Sequence, residues 1–171
     1  MYELKPDEKT TSVMVYTEEA LYHGQIVTRD FSRVNIFLRT EGAPNYLHLL
    51  NAQMIRPGST PRTINFDEIF IPTIKVIGFH VGPDIENELD YDPMEENRMM
   101  AHVKVVLGSF LLESKIRIST QTDLSTSLEV SRVKWLSLYE ASITNLYLAQ
   151  MKVQTPLLLV RQDNVSFGLI G

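Results

Sequence analysis

The chain has 171 residues, 44% of them apolar and 22% charged, with a formal net charge of -5. That length and apolar share suffice for one ordinary domain or two small ones and exclude a chain disordered throughout. Cysteine is absent, which excludes disulfides, thiolate zinc sites and cysteine nucleophiles.

Taken in order, residues 1–11 read as a flexible, solvated tail of a cytoplasmic protein, since Met1 to Lys9 lacks the basic-then-apolar run of a secretory signal. No window approaches the roughly 18 consecutive apolar residues of a membrane-crossing helix. A first unit is expected over 12–82. Val13 and Val15 alternate along a first strand, Leu21 to Thr28 forms a second, and Val34, Ile36 and Leu38 alternate along a third. Gly24 stands where the second strand bends or another backbone comes close. Glu41 to Asn45 is a loop, Tyr46 to Ile55 a fourth strand, and Pro57 to Thr63 the clearest loop. Glu68 to Ile71 and Thr73 to Phe79 complete the unit, with Pro72 marking a bend or an edge.

Charge divides unevenly along the chain: -1 over 1–11, 0 over 12–82, -6 over 83–99 and +2 over 100–171. Residues 83–99 therefore read as an extended acidic linker, with a short helix from Pro93 to Met100 as an option, capped by Asp92. A second unit is expected over 100–171, because the pattern of the first returns. Val13, Val15, Leu21 and Ile26 match Val103, Val105, Leu111 and Ile116 at a displacement of 90. Tyr46, Leu47, Leu49, Ala52, Ile69, Ile71 and Val76 match Trp135, Leu136, Leu138, Ala141, Leu158, Val160 and Val165 at 89. Helix propensity competes over Tyr139 to Lys152, and the repeat favours strand. The expected fold class is all-β: two tandem small antiparallel barrels or curled sheets, related by internal duplication and joined by the acidic linker.

The run Gly24-Gln25-Ile26-Val27-Thr28-Arg29-Asp30-Phe31-Ser32-Arg33-Val34-Asn35 resembles the first motif of Sm-like (SH3-type) barrels, a Gly in a bent second strand followed by an Asp and an apolar-Asn pair. One residue more separates Asp30 from Asn35 than that motif has. Arg33-Val34-Asn35-Ile36-Phe37-Leu38 is similar to a signature of bacterial domains of unknown function. These resemblances imply a small β-barrel and no activity.

Phosphate-binding glycine loops, His-Glu-x-x-His and Gly-x-Ser-x-Gly are all absent from the sequence. Adjacent acids such as Glu18-Glu19, Asp67-Glu68 and Glu95-Glu96 point to opposite faces of a strand and do not converge as an acid and base must. His80 and His102 flank the acidic stretch containing Asp84 and Glu86 and read as ordinary strand-end residues, with no metal or other cofactor expected. A neutral first unit and an acidic linker weigh against nucleic acid. The expectation is a non-enzymatic protein-interaction or assembly module that offers strand edges to a protein partner or to copies of itself as a homo-oligomer. The alternative is a small-ligand sensor: Arg29-x-x-x-Arg33 enclosing Asp30-x-Ser32 resembles the cyclic-dinucleotide site of PilZ barrels. It would place a ligand on Arg29, Asp30, Arg33 and Asn35.

Overall fold

The computed structural model describes residues 2–83 and 88–169. Ten antiparallel strands form one sheet: β1 (Glu8–Thr17), β2 (Leu21–Arg29), β3 (Tyr46–Arg56), β4 (Arg62–Pro72), β5 (Val76–Val81), β6 (Arg98–Leu107), β7 (Phe110–Ser119), β8 (Trp135–Asn145), β9 (Lys152–Arg161) and β10 (Ser166–Gly168). Their order is β10-β6-β7-β8-β9-β5-β1-β2-β3-β4. The protein is thus all-β, and its sheet does not close: β10 and β4 are the terminal strands. The expected pair of separate barrels gives way to this continuous sheet, because β5 hydrogen-bonds to β1 on one side and to β9 on the other.

Alternating apolar residues build the strands. In β1 Val13 and Val15 are fully buried, and in β7 Phe110, Leu112, Ile116 and Ile118 turn one face inward. Both halves carry one bulge in the second strand's pairing with the third. It falls between His23 and Gln25 opposite Asn51, and between Glu113 and Lys115 opposite Glu140. Asn51 and Glu140 both have positive φ, 48° and 50°. The bulge brings Ala52 so close to Gly24 that a Cβ there would lie 3.0 Å from the Ala52 Cβ, which is why the strand carries glycine. In the second half Ser114 takes the corresponding place, buried, at the bulge that faces Glu140 and Ala141.

Several expectations need correction. The stretch with Val34, Ile36 and Leu38 is a 3-10 helix, Val34–Arg39, and not a strand. Its buried residues are Val34, Phe37 and Leu38, the i, i+3, i+4 spacing of a helical face. Its counterpart in sequence, in which Leu128 matches Leu38 at a displacement of 90, is a short helix, α1 (Leu124–Val130), where the internal match implies a copy of that strand and then a loop from Glu129 to Lys134. Asp123 caps α1 by accepting a 2.7 Å hydrogen bond from the Thr126 backbone N–H. The solvated tail is shorter than expected, since β1 begins at Glu8 and the Glu8 carboxylate accepts from Tyr2 Oη at 2.9 Å. Pro93 to Met100 is not helical: Asp92 holds a turn through Met94, and β6 starts at Arg98.

The core has two clusters that exchange residues across the middle of the sheet. Tyr16, Leu21 and Ile77 from the first half join the cluster of β6 to β9, and Trp135 and Leu159 from the second half join the cluster of β1 to β5. The strand run Leu157-Leu158-Leu159-Val160 explains this, because every residue in it is apolar and buried. Leu158 and Val160 face one cluster and Leu159 faces the other. A strand apolar on both faces must be covered on both.

Candidate functional site

Two features of the sheet have functional content: the seam where the halves meet, and the free edges at its ends. Within each half the strands lie in the same order, β5-β1-β2-β3-β4 and β10-β6-β7-β8-β9. The seam therefore joins the fourth strand of the second half, β9, to the fifth strand of the first, β5. Gly78 pairs with Val160 and Phe79 with Leu159. Arg161 closes the end of this seam. It donates from Nε to the Val76 carbonyl at 2.9 Å and from Nη2 to the Thr73 carbonyl at 2.7 Å, while its guanidinium lies 4.9 Å from the centre of the Trp135 ring.

The linker is not a slack tether where it is described. Asp90 has a side chain only 3% exposed. Its carboxylate accepts from Arg39 Nη1 at 2.8 Å, Ser137 Oγ at 2.5 Å and Tyr139 Oη at 2.8 Å. One carboxylate thus ties the 3-10 helix of the first half to β8 of the second. Burial and the neighbouring Asp90 carboxylate push the Tyr139 phenol up from its ordinary value of 10, so it stays a proton donor. Tyr91 packs edge-on against Tyr139 at 5.1 Å, and Arg117 lies 4.5 Å over the Tyr91 ring. Arg117 also donates to the Asp92 carbonyl at 3.0 Å and to Glu95 at 2.9 Å.

The residues expected to bind a ligand are placed apart in role. Arg29, at the end of β2, forms an ion pair with Asp7. Asp30 presents its backbone carbonyl to Lys9 Nζ at 2.6 Å. Arg33 reaches Glu88 at 3.4 Å and the Leu89 carbonyl at 3.4 Å, and Asn35 donates to the Glu88 carbonyl at 3.3 Å. A nucleotide at this turn would compete with those contacts. Of the histidines flanking the linker, His80 is buried: its Nε2 lies 2.9 Å from Tyr16 Oη and its Nδ1 2.8 Å from the Val81 carbonyl. The Asp84 and Glu86 of that reading lie outside the described residues. Among the described residues no three His, Asp or Glu side chains are grouped to hold a metal ion, and no helix is long and apolar enough to cross a membrane.

The edges differ from the seam in burial at matched positions. On β9 Leu159 is fully buried, and on the edge strand β4 its counterpart Phe70 is 56% exposed and stacked on His48 at 4.5 Å. Trp135 is 4% exposed where its counterpart Tyr46 is 55% exposed. Ile64 on β4 is also exposed. The outer side of β4 leaves the backbone groups of an 11-residue strand unpaired within the sheet. Near its end, an open groove of about 820 Å³ runs between Pro44, Tyr46, Ile74 and Trp135. At the far end of the sheet β10 is three residues long, half the length of β5.

Sequence reasoning missed the lock at Asp90 because its partners come from two segments distant in sequence, the 3-10 helix and β8. It missed Arg161 because a charged residue at a strand end reads as solvated. The contrast between Leu159 and Phe70 lies within the internal match, but which copy is covered depends on strand order, which the sequence does not display. Comparison with family models, with curated proteins and with solved structures returns no match to this chain.

Proposed function

We propose that this chain is a non-enzymatic interaction and assembly module, made of two copies of one five-stranded unit, that adds further strands at the edges of its sheet. The single observation that carries this reading is the exposed outer side of β4. Eleven residues of unpaired edge bearing Ile64 and Phe70 form a template for strand addition. Proteins that keep such an edge free of partners blunt it with charged side chains, lysine above all, with proline, with bulges or with a covering segment; β4 has charges at Arg62, Asp67 and Glu68, and its proline stands at its last position. No lysine occurs in β4, and its pairing with β3 runs from Tyr46–Pro72 to Arg56–Arg62. Duplication is supported by the shared strand order, by the helical turn after each second strand and by the matched bulges at Asn51 and Glu140.

The test is mass against concentration by light scattering, for the wild-type chain and for an Ile64→Lys, Phe70→Lys double variant. Both side chains are exposed, so the variant should keep its fold and melting temperature to within a few degrees. The wild type is expected to exceed 19.6 kDa as concentration rises, with the variant remaining at 19.6 kDa. A wild type that stays at that mass, with β4 amides exchanging as a solvated edge does, would overturn the self-assembling form of the reading.

A further inference from the structure

We propose that the occupant of the β4 edge is β10 of a second copy of this chain, docked head to tail in the register that the internal seam already displays. This rests on the assembly reading above and gives it a partner, a polarity and a set of residue pairs. At the seam a fifth strand, β5, lies against a fourth strand, β9. The strands left over at the two ends of the sheet are a fourth strand, β4, and a fifth strand, β10. Each chain therefore ends in the two complementary halves of an interface that it already contains once.

The pairing follows from matching each strand to its equivalent. Val15 pairs with Phe79 on β5, and Val105 pairs with Phe167 on β10, so Phe167 stands in for Phe79 and Ser166 for Gly78. On the other side Phe70 stands in for Leu159 and Ile71 for Val160, because their partners His48 and Ser137, Leu47 and Leu136 correspond. The seam pairs Gly78 with Val160 and Phe79 with Leu159. Between copies the same register sets Ser166 against Ile71, Phe167 against Phe70 and, two residues further, Leu169 against Glu68. Phe70 would enter the neighbour's core beside Phe167, as Leu159 enters the cluster containing Phe79. The shortness of β10 fits, since it lacks the outer neighbour that β5 has, and it gains one on docking.

The seam between copies lacks one feature of the internal one. Pro72 stands where the internal seam has Arg161, and Tyr46 where it has Trp135, so the guanidinium clamp is missing. Copies should separate on dilution while each chain stays folded. An interface joining two different surfaces either closes into a ring or runs on as a filament.

Cysteine cross-linking tests the register in a chain with no native cysteine. Glu68 and Leu169 are both exposed, so Glu68→Cys and Leu169→Cys leave the core intact, which the unchanged melting temperature of the reduced proteins would verify. On a denaturing gel each single variant oxidised alone should run at 19.6 kDa, and an equimolar mixture of the two should give a covalent dimer and nothing larger. The double variant should give a series of multiples or one closed species. Dimers from Glu68→Cys alone, at the yield of the mixture, would show β4 meeting β4 and overturn the head-to-tail arrangement. Assembly seen by light scattering without any cross-link between 68 and 169 would overturn the register and leave the edge reading standing. A strict monomer in both experiments would overturn the two together.

Discussion

His80 shows how one buried residue sets a pH limit. The Nδ1 donates to the Val81 carbonyl, so Nε2 is the acceptor for Tyr16 Oη, and the ring is held neutral. Burial lowers its pKa from 6.5 to about 4, against the opposing pull of the Val81 carbonyl. The unfolded chain takes up a proton near 6.5 and the folded chain does not until about 4. The stabilisation is therefore complete above 6.5 and is lost as pH falls from there towards 4, by about 3 kcal/mol in all. Urea unfolding at pH 7 and pH 4.5 should show this loss in the wild type and a much smaller one in His80→Gln. Equal losses in both would assign the acid sensitivity elsewhere. Ser114 offers a second case: its buried hydroxyl finds no hydrogen-bond partner among the described residues. Ser114→Ala should raise stability by about 1 kcal/mol, read from the denaturation midpoint.

Elements were legible in the sequence where apolar periodicity and turn chemistry agreed. β2, β3 and β8 fall where alternation, flanking Gly and Pro, and the internal match placed them, and strand prevailed over helix at Tyr139 because β7 and β9 pair with β8 on both sides. The segment Val34–Arg39 was misread because Val34, Ile36 and Leu38 satisfy a period of two, while Val34, Phe37 and Leu38 satisfy a helical one. Burial selects the second. The described part of the linker was misread because its acids were counted as mutually repelling, and Arg33, Arg39 and Arg117 neutralise them in the fold. Asp90→Asn should accordingly destabilise the protein by about 1–3 kcal/mol. A slack linker would tolerate it within about 0.5 kcal/mol. Of the proposed ligand residues, only Arg33 and Asn35 share a target, the backbone of Glu88 and Leu89.

At the scale of the whole molecule the strand order is the part that no local pattern encodes. The matched apolar residues of the two halves were visible, but the joining of β9 to β5 depends on a surface built from both halves. Matched positions then have unequal weight. Leu159→Ala should cost about 2–5 kcal/mol by opening a cavity at the seam, whereas Phe70→Ala on the isolated chain should cost under about 1 kcal/mol. Similar losses at the two positions would mean that Phe70 is packed as Leu159 is, and that β4 is not an open edge. The most direct measurement of the central claim is amide hydrogen exchange across the sheet at low and high protein concentration. β5 and β9 should be protected at both. Protection of β4 and β10 should be weak when dilute and rise together as concentration increases. Slowing confined to one of these two strands, or to neither, would contradict the claim that the sheet extends by joining its fifth-strand end to its fourth-strand end.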